Sequence, residues 1–204
     1  MSIQKISTTD ESVRMFDNPI LDFISRVHWT TPLILFLPVI AWLLYRAYWV
    51  EQWAILPIIG LMLCGLATWS FAEYVMHRFV FHWQPPGKWG EKIHFVTHGV
   101  HHQYPNDSKR LVLPPALSIP LSTGFYYLFL FILGKNLLPP FFAGFLIGYL
   151  CYDMLHYAVH HAKIKHPWFQ ELKRHHMLHH FKDPDNGYGV SSKLWDIIFR
   201  TTIK

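Results

Sequence analysis

Charge is scarce in this 204-residue chain: Asp, Glu, Lys and Arg together make up 15% of it, against roughly 25% in an ordinary soluble domain. With 51% hydrophobic and 17% aromatic residues, that deficit points to a membrane. Cysteine is nearly absent as well. Cys64 and Cys151 both fall in apolar stretches, which excludes a disulfide framework and reads as two small core residues. No Ser/Gly-rich linker, charge block or internal repeat divides the chain, so residues 1–204 are expected to form a single domain. Residues 1–26 lack the basic-then-apolar order of a secretory signal and are expected to stay on the membrane. Within them Asp17-Asn18-Pro19 supplies a cap and a first turn for a short interfacial helix.

What the chain does have is apolar runs. Four are marked, at about residues 33–48, 54–75, 117–133 and 141–157, each close to the roughly 20 residues that cross a ~30 Å hydrocarbon layer. Short connections at 49–53 and 134–140 make them two hairpins of an all-α integral membrane protein with four transmembrane helices. Trp42, Tyr45, Tyr48, Trp49 and Trp53 form an aromatic belt at the first tip. Only Arg46 and Lys135 lie at the tips. The other basic residues fall in the N-terminal segment and in regions 77–113 and 158–204, which are therefore expected to be cytoplasmic. The net charge of +5 then reflects topology and headgroup attraction, and nucleic acid is not expected as a partner. Gly144 and Gly148 form a small-xxx-small pair suited to close helix packing.

The chain is also rich in histidine, with 15, and all but His28 lie at or beyond the ends of the second and fourth runs. Residues three or four apart share a helix face, which aligns His98 with His101 and His102, His156 with His160, and His176 with His179 and His180. Adjacent rings are turned about 100° apart, so each doublet suits two neighbouring points better than one. His77 and His82, five apart, fit one α-helical face poorly, and the helix is expected to end or bulge between them. His77, His82, His98, His101, His102, His156, His160, His176, His179 and His180 make ten candidate ligands, five for each of two metal ions, with a sixth position left open. Imidazole suits Fe, Zn, Cu and Ni alike. A lone histidine such as His28 reads as an interfacial residue; ten in four spaced groups on one side of a membrane do not. His94, His161, His166 and His175 read as supporting or surface residues, and Glu73 and Asp153 as acids that accept a ligand's outer N–H.

The blocks EYVMHRFVFH, HGVHHQYPNDSKRLVLPP, YDMLHYAVHH and HHMLHHFKDPDNGYGVSSKLWD, in that order, resemble the membrane fatty acid hydroxylase superfamily, and within it the fatty acid 2-hydroxylases. The resemblance runs from about residue 70 to Arg200. It implies four membrane helices under a cytosolic helical cap, and a dinuclear centre on the ten histidines that is functionally iron, although zinc can occupy it. The implied reaction is O2-dependent hydroxylation at carbon 2 of a long acyl chain, free or carried on a sphingolipid. Many members carry an N-terminal cytochrome b5 domain with an HPGG motif. Nothing in residues 1–76 resembles it, so electrons are expected from a separate carrier, cytochrome b5-like or ferredoxin-like.

On that reading Tyr152 and Asp153 are expected to contact the substrate's head end, Lys109 and Arg110 a lipid headgroup, and the loop KDPDNGYGVSS to act as a lid or lipid-contact segment. Three rivals use part of the same pattern. A sterol desaturase or carotenoid hydroxylase would share the histidines but not RLVLPP and GYGVSSKLWD, and a zinc-dependent membrane hydrolase would take Glu73 as base. A haem-carrying electron-transfer protein needs two axial ligands per haem and would leave most of the histidines unused.

Overall fold

A computed structural model describes residues 6–203, and the described residues are helical or irregular, without strands. The first helix, α1 (Pro19–Ile24), starts where the sequence marks it: Asn18 Oδ1 accepts the Ile20 and Leu21 amides at 2.9 and 3.3 Å, and Pro19 opens the first turn. Helix α2 (Thr31–Tyr45) runs on into a π-helical turn, Arg46–Val50. Helix α3 (Ile55–Val75) does the same through Met76–Phe81. Then come α4 (Gly87–His94), a π-helical turn at Phe95–Gly99, α5 (Val100–Gln103), α6 (Pro115–His161), α7 (Pro167–Phe181) and α8 (Leu194–Ile198).

Among the described residues, three helical stretches are long and apolar enough to cross a membrane: Thr31–Val50, Ile55–Phe81 and Pro115–His161. Their outer surfaces are greasy. Leu56 is 79% exposed and Phe131 89%, which suits a lipid surround and not water. The third stretch reverses on itself at Gly134, whose backbone (φ 72°, ψ 169°) is one that glycine adopts readily and other residues do not. Phe125 and Phe145 meet at 5.0 Å between ring centroids and Phe129 and Phe141 at 4.9 Å; both pairs are symmetric about Lys135, the signature of two antiparallel arms. The expected seven-residue connection thus contracts to a turn at Gly134, and Pro139 and Pro140 lie inside the second arm.

Helix α3 packs along that second arm at backbone contact. A Cβ on Gly144 would stand 2.0 Å from the Met62 carbonyl oxygen, and one on Gly65 2.0 Å from that of Phe141. Trp69 fills the space above, its ring 5.1, 5.3 and 5.9 Å from those of Phe145, Tyr149 and Tyr152. Cys64 and Cys151 correct the expectation of core residues: both are exposed, on the outer surface of the same helix pair whose inner surface is occupied by glycine and aromatic residues.

Candidate metal centre

Ten imidazoles converge at the last turns of the second arm of α6 and beyond the end of α3. They divide into two nests: His77, His82, His98, His102 and His179; and His101, His156, His160, His176 and His180, with one ring nitrogen of every member within 4.8 Å of the others in its nest. Sequence neighbours are split between nests, His101 from His102 and His179 from His180. The nests adjoin, the His102 and His180 rings stacking at 4.3 Å.

Local backbone geometry makes this possible. His77 lies in the π-helical turn and His82 caps its end, where the His82 amide donates to the His77 carbonyl five residues back at 3.1 Å. That wider turn brings both rings into the first nest, as their spacing required. On α7, His176 and His180 sit one turn apart and share the second nest, with Nε2 atoms 3.0 Å from each other.

Most of these rings are buried, His176 and His179 completely. Three have their outer nitrogen fixed by a backbone carbonyl: His77 Nδ1 donates to Tyr188 O at 2.5 Å, His179 Nδ1 to Asn186 O at 2.7 Å, and His156 Nδ1 to Leu111 O at 3.1 Å. A proton held on Nδ1 leaves an Nε2 lone pair aimed inward. Burial, followed by neighbouring imidazoles, pushes His98, His101, His102, His176 and His180 well below the usual histidine range and His82 down to about 2. Burial also lowers His179 to about 4 against the opposing pull of the Asn186 carbonyl. All of these are neutral at pH 7, the state in which imidazole binds a metal.

The spacing fits cations. Facing Nε2 atoms lie 3.0 Å apart for His77 and His98, 3.1 Å for His82 and His179, and 2.9 Å for both His101–His156 and His160–His176. Metal–imidazole bonds of roughly 2.0–2.1 Å put ligands at right angles about 2.9 Å apart and opposite ligands about 4.1 Å apart. The clusters are compatible with metal binding.

Residues 62–201 match the family model for fatty acid hydroxylase. This chain belongs to the fatty acid hydroxylase family. It is 38% identical over 194 residues to a dihydroceramide fatty acyl 2-hydroxylase of Arabidopsis thaliana, covering 95% of this chain and 81% of that one. It is 36% identical over 212 residues to the fatty acid 2-hydroxylase of Mus musculus, covering 94% of this chain and 57% of the mouse protein. Among solved structures, full-length scs7p, with only its hydroxylase domain visible, matches with a TM-score of 0.86 at 35% identity, over 93% of this chain and 71% of that one.

In this hydroxylase a cavity of about 240 Å³ runs up to the nests. His98, His101 and His156 form part of its wall, with Glu73, Tyr149, Tyr152 and Asp153; Trp69, Leu117 and Leu121 also line it, as do Leu21 and Ile24 of α1. Tyr152 stacks on His156 at 5.7 Å.

Several expected roles change. Glu73 accepts nothing from His77: its Oε1 takes the Val190 and Ser191 amides, each at 2.8 Å, and its Oε2 the Ser191 hydroxyl. Asp153 accepts nothing from His156, whose Nδ1 is already bound to Leu111 O, and among the described residues its oxygens make no hydrogen bond of ordinary geometry. Arg110 is no surface cation. Its side chain is 3% exposed and pairs with Asp22 and Asp107 at 3.3 Å each, fastening α1 over the cavity. The KDPDNGYGVSS segment is not a free lid, because its carbonyls and amides are engaged with His77, His179, Glu73 and Asp196. Of the four other histidines, His175 donates to Asp196 at 3.1 Å, His161 stacks on Tyr157, His94 accepts from Gln84, and His166 is the exposed residue before α7.

The residues the sequence reading missed are Asn186, Tyr188 and Leu111, which act through backbone carbonyls, and Asp196. Burial raises the Asp196 carboxyl, but bonds from His175, the Gly189 amide and Thr201 outweigh it and hold the group below the usual range.

Proposed function

We propose that this chain hydroxylates carbon 2 of a long acyl chain, carried on a sphingolipid or free, at two metal ions held by the two histidine nests. The supporting observation is that ten imidazoles meet in two adjoining nests and that three of them, His98, His101 and His156, stand in the wall of a largely apolar cavity. The relatives named 2-hydroxylases extend that reading to substrate and position. The residues fit a pair of ions, and oxidation of an unactivated C–H bond with O2 and two external electrons is the chemistry that an iron pair, bound there, would supply. Zinc could occupy the same nitrogens. Electrons would come from a separate carrier.

Everything else falls to the protein. At about 240 Å³ the cavity is smaller than the roughly 300–1,000 Å³ of a pocket that encloses a whole ligand, so it takes only the reacting segment and leaves the tail in lipid. Trp69, Leu117 and Leu121 keep water from that segment, while Tyr152 and Asp153 lie beside His156, where the polar head end would arrive. Fixing the head end fixes which carbon faces the nests. Helices α2 and α3 and the two arms of α6 would make four crossings, with the nests, α7 and α8 as a cap on the cytoplasmic side.

A hydrolase using Glu73 as base is disfavoured because three donors already occupy that carboxylate. The test is expression in a host lacking 2-hydroxy lipids, with iron and a working electron donor, followed by mass spectrometry. 2-Hydroxy acyl lipids should accumulate with the wild-type chain and not with His179→Ala; their absence from the wild type under those conditions refutes the proposal.

A further inference from the structure

Four consecutive backbone amides, Tyr188 to Ser191, all donate to buried carboxylates. Tyr188 N reaches Asp196 Oδ1 at 2.9 Å and Gly189 N reaches Asp196 Oδ2 at 2.8 Å, while Val190 and Ser191 N both reach Glu73 Oε1 at 2.8 Å. Asp196 is itself braced by Thr201 Oγ1 at 2.8 Å, and Thr201 by Tyr74 at 3.0 Å. This run therefore has little freedom to shift. The Tyr188 carbonyl within it fixes His77, and the Asn186 carbonyl, two residues ahead of it, fixes His179; both rings belong to the first nest.

The second nest is built differently. Among the described residues its one backbone partner is Leu111 O on His156, from a segment neither carboxylate touches, and the outer nitrogens of His101, His160, His176 and His180 have no hydrogen-bond partner there. We infer that Glu73 and Asp196 are positioning residues acting through the 186–191 backbone, and that this clamp sets the metal affinity of the first nest alone. The inference rests on the reading that the nests hold ions. It assigns Glu73 a role through the loop in place of one on the substrate or on His77.

Each nest can be tested against the other by Zn2+ competition with a chromophoric chelator, using the full chain in detergent. His160→Ala with His176→Ala leaves the first nest, and His82→Ala with His98→Ala leaves the second. In the first background Asp196→Asn and Glu73→Ala should each weaken Zn2+ binding about 10–100-fold, the usual effect of losing a ligand's outer partner. Glu73→Gln should stay near its parent, because the amide oxygen still accepts both amides and its NH2 can donate to Ser191 Oγ. In the second background none of the three should change affinity. Equal weakening in both backgrounds would mean general loss of structure, and an unchanged first nest would mean the clamp does not act; either overturns the inference. Absence of Zn2+ binding in both parent backgrounds would overturn the two-ion reading itself, and the clamp with it.

Discussion

On the proposed two-ion reading, stripping metal should lower the stability of this chain by an amount set by how far free metal exceeds Kd. Each nest collects five imidazoles, and both contain rings that are essentially inaccessible, such as His77 at 1% and His176 at 0% exposure. An ion that binds only the folded chain adds about 2.7 kcal/mol when free metal is about 100 times Kd, so two filled nests add about 5 kcal/mol. For a chain of this size 1 kcal/mol moves Tm by roughly 2–4 °C, which puts the expected drop at about 10–20 °C. Nine tryptophans make intrinsic fluorescence a convenient monitor in detergent. Melting would be followed for the loaded chain, for the chain after chelation and gel filtration, and after metal is restored, with elemental analysis at each stage. A Tm that stays put while analysis shows both ions leaving and returning would refute the argument, because ions that bind folded and unfolded chains alike are not held by a preformed nest.

How much of this was legible in the sequence depends on where the information sits. Histidine periodicity on α7 and at the end of α6 could be read because ring direction follows from helix geometry, and the five-residue step from His77 to His82 announced its own bulge. Asn18 and Pro19 marked α1 for the same local reason. That neighbouring rings would part between two points was readable from the helical step, but which ring joins which nest was not. The division pairs His102 with His179 and His101 with His180 through contacts that only the packed helices create. The carbonyl partners were invisible too, since every residue carries a carbonyl and nothing in the letters N, Y or L marks those of Asn186, Tyr188 and Leu111 as chosen. Glu73 misled because the sequence offers His77 one turn away, whereas the fold offers two amides and a hydroxyl from more than a hundred residues downstream, and three donors satisfy a buried carboxylate better than one.

Leu121→Trp should obstruct the cavity that Leu121 lines, raising KM or abolishing acyl hydroxylation while metal content stays normal. Wild-type kinetics in that variant would show that the substrate reaches the nests by another route. Gly144→Ala and Gly124→Ala place the same methyl group on the two arms of α6 with opposite expectations. At Gly144 the added carbon would sit 2.0 Å from a main-chain oxygen, whereas at Gly124 nothing lies within 4 Å. A side chain could rotate aside, but the Met62 carbonyl belongs to the hydrogen-bonded ladder of α3, so α3 and the arm must move apart and Trp69 with them. Overpacking of this kind costs about 1–3 kcal/mol. Gly144→Ala should therefore melt roughly 2–12 °C below the parent, with Gly124→Ala at or above it. Equal melting of the two variants would mean that the helices do not meet through their glycines.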